Sequence, residues 1–170
     1  AMFGASSGGS ITVNSISAAS SNSLGSMQSL VAQGAKAQIS FSTAASTFNA
    51  LTAQADNGIL VQVDVTTDVG ILLLDADMDN VAESAPDTHD KLAFSGARTL
   101  TSVGQMTLDA TSGGIVRSGS AGMSLKSQSS ILVNDNFSGT VALKALDINA
   151  DTNADGVGTL TVKSAKTINT

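Results

Sequence analysis

A parallel β-solenoid with coils of about 20–23 residues is the fold this sequence predicts. Three observations predict it. Apolar residues alternate with period two in short stretches, Gly, Asn, Asp and Ser separate those stretches, and similar segments return after roughly 65 residues, close to three coils.

The alternating stretches are Ile11/Val13, Ile39/Phe41, Leu92/Phe94, Met106/Leu108, Met123/Leu125 and Leu160/Val162. Period two marks a strand with one buried face, so Leu92, Phe94, Leu160 and Val162 are expected to point inward and Thr161 outward. Residues 21–33 admit a second reading. Leu24, Met27, Leu30 and Val31 fall at helical spacing after Ser23, a candidate N-cap, which would make a capping helix; the other reading is an irregular coil.

Gly34-Ala35-Lys36, Gly96-Ala97-Arg98 and Ser164-Ala165-Lys166 each follow a leucine (Leu30, Leu92, Leu160), and their basic residues lie 62 and 68 residues apart. Between these marks Ile39-Ser40-Phe41 matches Met106-Thr107-Leu108, and Ile59-Leu60-Val61 matches Ile131-Leu132-Val133. Leu51-Thr52-Ala53-Gln54 likewise matches Leu125-Lys126-Ser127-Gln128, and Asp75-Ala76-Asp77 matches Asp147-Ile148-Asn149. One solenoid domain over 11–170 is therefore expected, with internal copies near 37–98 and 99–166 and another opening at Thr167–Thr170. Residues 1–10 are expected to lie outside it, Ala1-Met2 reading as a cloning remnant. A β-sandwich is the alternative, since it too has many short strands between turn signals.

Composition narrows the function. The chain has 25 Ser and 17 Thr, no Cys, Tyr or Trp, one Pro, and 13 Asp against the single Glu83. Asp accepts turn conformations, so the acids point to turns and not to helices. A hydrophobic fraction of 42% separates the chain from disordered Ser/Thr-rich stalks. Its apolar runs are far shorter than the ~20 residues that span a bilayer, so no membrane span is expected. A net charge of −6, with basic residues spread singly, argues against a nucleic-acid partner. Zero cysteine excludes a disulfide framework and Cys-ligated zinc.

Asp147, Asn149, Asp151, Asn153 and Asp155 place oxygen ligands at every second position, and Asp151-x-Asn153-x-Asp155-Gly156 reproduces the first half of an EF-hand-type loop. The twelfth position is Val162 instead of a bidentate Glu, which excludes the complete loop. Asp75, Asp77 and Asp79 form a second, weaker set. Both are candidate calcium sites, and the other reading is solvated Asx turns at coil corners. His89, the only histidine, stands in Glu83–Asp90, an insertion read as a surface loop; one His without Cys makes no four-ligand zinc site. Asp75, Asp77, Arg98 and Arg117 are the set that a carbohydrate-active β-helix would recruit, but the usual sugar-stacking Tyr and Trp are missing. Thr99-Leu100-Thr101 and Thr159-Leu160-Thr161 carry the Thr-x-Thr pattern of ice-binding solenoids, though only about once per 60 residues.

From about Ser10 to Thr170, these apolar-x-apolar stretches punctuated by Gly, Asn and Asp resemble the repeats of filamentous-haemagglutinin-type adhesins and related giant surface proteins. The resemblance implies a secreted, right-handed β-helix that works in adhesion or as an extended scaffold. The expectation is therefore a non-enzymatic structural or adhesive module at the cell surface or outside the cell, calcium-stabilised if the Asp sets bind. Its expected partners are copies of itself, neighbouring repeats of a longer chain, or cell-surface glycans and proteins.

Overall fold

The computed structural model describes the backbone of residues 2–5, and residues 9–81, 89–141 and 144–169. The chain is a parallel β-solenoid. Three sheets of seven, seven and five strands run along it, and the chain visits them in rotation, here called sheets A, B and C.

The first coil holds β1 (Met2–Ala5), β2 (Ile11–Val13) and helix α1 (Ala18–Leu24). The second holds β3 (Gln28–Ala32), β4 (Ile39–Phe41) and β5 (Ser46–Phe48), and the third β6 (Leu51–Ala55), β7 (Ile59–Val61) and β8 (Val65–Thr67). The fourth holds β9 (Leu72–Asp75), β10 (Leu92–Ser95) and β11 (Thr99–Ser102), and the fifth β12 (Met106–Asp109), β13 (Ile115–Ser118) and β14 (Met123–Ser127). The sixth holds β15 (Ser130–Val133), β16 (Phe137–Gly139) and β17 (Leu146–Asn149); β18 (Thr159–Val162) and β19 (Ile168–Asn169) follow. All the described pairings are parallel, which sets aside the sandwich.

Like side chains stack on like because the register aligns inward positions from coil to coil. Leu51, Leu72, Met106 and Ile131 form one column in sheet A. Ile39, Ile59, Leu92, Ile115 and Phe137 form one in sheet B, and Val65, Leu100 and Leu125 one in sheet C. All of these are buried. Each column removes apolar surface from water at about 25 cal/mol per Å², so the core is a continuous line and not a central knot. Leu92 and Phe94 face inward as expected. Leu160 and Val162 stack on the inward residues Ile131 and Val133, and exposed Thr161 pairs with Leu132 on the outer face. Val162 packs on the core, whereas Leu160 is 45% exposed because no described coil lies over it.

The coils are less regular than 20–23 residues. Their length runs from 19 residues between stacked Ser46 and Val65 to 35 between Val65 and Leu100, a span that includes residues 76–91 between β9 and β10. Nor does the 65-residue similarity follow the stacking. Ile39–Phe41 lies in sheet B and its match Met106–Leu108 in sheet A, while Asp75 ends a sheet A strand and Asp147 lies in sheet C. All three sheets use the same apolar-x-apolar grammar, so a sequence match slides from one to another; the physical repeat is the single coil. The N-terminal segment expected outside the solenoid is partly inside it, since β1 pairs with β3 from Met2↔Ser29 to Ala5↔Ala32.

The helix also differs from expectation. Ser17, not Ser23, is its N-cap and accepts from Ser20 N at 3.2 Å; Gly25, at φ 101°, ends it, and Gln28–Ala32 alternates as a strand. Residues 14–24 pass over β5, the first strand of sheet C. Thr47 N donates to Ile16 O at 2.7 Å, and buried Ser21 Oγ accepts from Asn49 N at 2.7 Å and donates to Gln28 Oε1 at 3.0 Å. Sheet C therefore has a covered edge at this end.

Candidate functional sites: the acidic corner, the Asp loop and the outer faces

The turn from sheet A to sheet B gathers most of the structured acids. Ala32, Ala55, Ala76 and Ala110 are fully buried just before it, because only a small side chain lets the backbone turn tightly against the coil below. The outward residues beside them stack as Gln54, Asp75 and Asp109 on β6, β9 and β12. Carboxylates in register on neighbouring strands sit about 4.8 Å apart and repel. Side-chain amides at both ends of the stack relieve this: Gln54 Nε2 donates to Asp75 Oδ2 at 3.2 Å and Asn134 Nδ2 to Asp109 Oδ2 at 2.7 Å. Burial still pushes the Asp109 carboxyl up; the Asn134 bond opposes this, and neighbouring Asp135 and Asp75 add to it. In the next coil Asp135 takes the place that the alanines hold. Burial alone would raise its carboxyl too, but Lys166 Nζ, 2.5 Å from Oδ1, and the Ala110 N–H, 3.1 Å from Oδ2, hold it below its ordinary value.

The two candidate calcium sets are not drawn together. Asp75 lies in the outer stack, buried Asp77 accepts from Ser112 N at 2.6 Å, and exposed Asp79 accepts from Val81 N at 3.0 Å. Asp147 and Asn149 stand on the outer face of β17, opposite Ser124 and Lys126. The Asp151–Gly156 segment closes on its own amides. Asp151 accepts from Asp155 N at 3.1 Å and Gly156 N at 2.9 Å, and Asp155 from Val157 N at 2.9 Å and Asn153 Nδ2 at 2.8 Å. The Val157 N–H, with Asn153 next, holds the exposed Asp155 carboxyl below its ordinary value. This is the geometry of Asx turns. Among the described residues, no three acidic or histidine side chains converge as a metal site.

Nor does the carbohydrate-active set assemble. Asp75 and Asp77 stand at the A-to-B turn, while Arg98, at the B-to-C turn, donates from Nη1 to its neighbour Ala97 O at 2.8 Å. Arg117 is 1% exposed inside the core, in the column between Phe94 and Gly139. Its Nη1 donates to Ala145 O at 3.1 Å and its Nη2 to Lys144 O at 3.2 Å. The alternation Ile115-x-Arg117 held the signal that this arginine faces inward. His89 is exposed where the insertion returns, and Glu83–Thr88 lies outside the described residues.

The outer faces differ in charge. In sheet B, Thr12, Ser40, Leu60, Ala93, Val116, Ser138 and Asn169 form one uncharged column across seven strands. Sheet A carries Asp75 and Asp109, and sheet C carries Lys126 and Asp147. Thr47, Thr66 and Thr101 stack on sheet C, but Lys126 breaks the ladder at the next coil, and the two Thr-x-Thr segments lie on different sheets. Among the described residues, no helix is long and apolar enough to cross a membrane. Comparison with family models, curated proteins and solved structures returns no match.

Proposed function

We propose that the chain is a structural and adhesive module of an extracellular or cell-surface protein, acting by presenting a rigid face and not by turnover. The observation that carries this reading is the uncharged column of sheet B. At about 4.8 Å per strand, its seven strands extend a low-charge strip for roughly 29 Å. Such a strip costs little to dehydrate against a glycan, a protein or another copy of the same face, because no ion must leave water.

Beads carrying the protein, washed over immobilised glycans and extracellular proteins, test the reading. Leu60→Lys combined with Val116→Lys puts two charges into the strip. Adhesion is expected to fall about tenfold, while Leu73→Lys on sheet A leaves it unchanged. Equal adhesion of both variants would show that sheet B is not the contact face.

A further inference from the structure

Asp77 and Asp90 stand where the connection between β9 and β10 leaves and rejoins the coil, and both carboxylates are buried at this neck. The neck is stacked tightly between coils. Asn57 and Asp90 stand two residues before the paired Ile59 and Leu92, so Asn57 lies beneath Asp90. A Cβ on Gly58, whose φ is +98°, would fall 2.0 Å from His89 O, and one on Gly113 would fall 2.2 Å from Asp90 O. Asp77 reaches the same level, because its Oδ2 accepts from Ser112 N at 2.6 Å, beside Gly113.

Two oxygens in this neck, Asp77 Oδ1 and Asn57 Oδ1, are buried and receive no donor. Among the described residues the one ion pair is Lys166–Asp135, so no described cationic side chain forms an ion pair with Asp77. A buried anionic oxygen without a donor is costly unless a cation faces it. We propose that the neck is a divalent-cation site, suited to calcium, with Asp77, Asp90 and the Asn57 side-chain oxygen as its protein ligands. Hard oxygens from two carboxylates and one amide match the preference of calcium. The site shares only Asp77 with the Asp75–Asp77–Asp79 set and excludes the Asp151–Asp155 loop. Bound there, the ion ties the two ends of the β9–β10 connection to the coil of β6 and β7.

Calcium chloride titrated into the EDTA-treated protein, followed by calorimetry and thermal melting, tests this. The melting temperature is expected to rise by roughly 5–10 °C at a hundredfold excess over Kd. Asp77→Asn should remove that rise, and Asp151→Asn with Asp155→Asn should leave it intact. Asn57→Asp supplies a third carboxylate and decides the matter if Asp77→Asn does not fold: it should melt below wild type in EDTA and gain more from calcium. Absence of binding heat and of any melting shift in the wild type would overturn the proposal and leave the neck to water. So would a shift that survives Asp77→Asn, or an Asn57→Asp protein that gains no more than wild type.

Discussion

Lys166 Nζ closes on Asp135 Oδ1 at 2.5 Å, bringing a charge from the turn before β19 onto a carboxylate that occupies the buried alanine column of the coils below. The coil before it has Ala110 in this place; here a carboxylate is accommodated because a cation and an amide face it.

Removing the two partners of this pair should therefore have unequal effects. Lys166→Ala strands a buried anion and is expected to cost about 1–3 kcal/mol, the lower end reflecting the partial exposure of Lys166. Asp135→Ala restores the alanine column and should cost less. Because the folded Asp135 carboxyl titrates below its unfolded value, the pair's contribution is present above pH ~3.8 and is lost as pH falls through the lower folded value. Denaturant melts from pH 7 to pH 2 check both points; an Asp135→Ala loss larger than that of Lys166→Ala would count against a charge-balanced pair.

Asp109 has the opposite sign. Its folded carboxyl titrates above the unfolded one, so its contribution is favourable at low pH and declines as pH rises from ~3.8 through the folded value. Asp109→Asn keeps the shape and removes the charge facing Asp75 and Asp135. It should raise the melting temperature at pH 7, by roughly 2–4 °C for ~1 kcal/mol, and do little at pH 3. A variant less stable at pH 7 than at pH 3, relative to wild type, would show that its bond with Asn134 outweighs the repulsion.

Arg117 yields a third prediction. The guanidinium fills the core column above Phe94 and gives hydrogen bonds to carbonyls at 144 and 145. Arg117→Ala leaves a cavity together with unpaired carbonyls and should cost about 3–5 kcal/mol, whereas Arg117→Met keeps most of the volume and should cost less. Chemical denaturation of the two variants separates the packing part from the hydrogen-bond part.

Period two made the strands legible in the sequence, and with them the solenoid, because inward positions must be apolar wherever one coil lies on another. Leu92, Phe94, Met106 and Leu108 were readable on that ground alone. The coil boundaries were not, since the three sheets share one pattern and a match between Ile39–Phe41 and Met106–Leu108 ignores which sheet each occupies. Ser17 and Ser23 are equally good caps in sequence; what decides between them is Ser21, whose hydroxyl is needed beneath Gln28 and Asn49. The neck was partly visible, Asp77 having been singled out, but Asn57 and Asp90 lie 20 and 13 residues from it and only coil stacking joins them.

The last prediction concerns the exposed coil end. Leu160 continues the column of Leu51, Leu72, Met106 and Ile131, yet it is 45% exposed where they are buried, and Val157, just before its strand, is 70% exposed. Strands β17, β18 and β19 are each the last in their sheets, with backbone groups on one side unpaired among the described residues. An apolar column ending beside open strand edges is a surface on which a further β-coil can add by the same register that joins the coils below. For the isolated chain, the available occupant is a second copy, and light scattering should show a mass that grows with concentration. Leu160→Lys places a charge at the end of the column. It should suppress that growth while leaving the melting temperature of the dilute protein within ~2 °C of wild type, because Leu160 contributes little burial to the single chain. A mass equal to one chain at all concentrations in the wild type would show that this end is not an association surface.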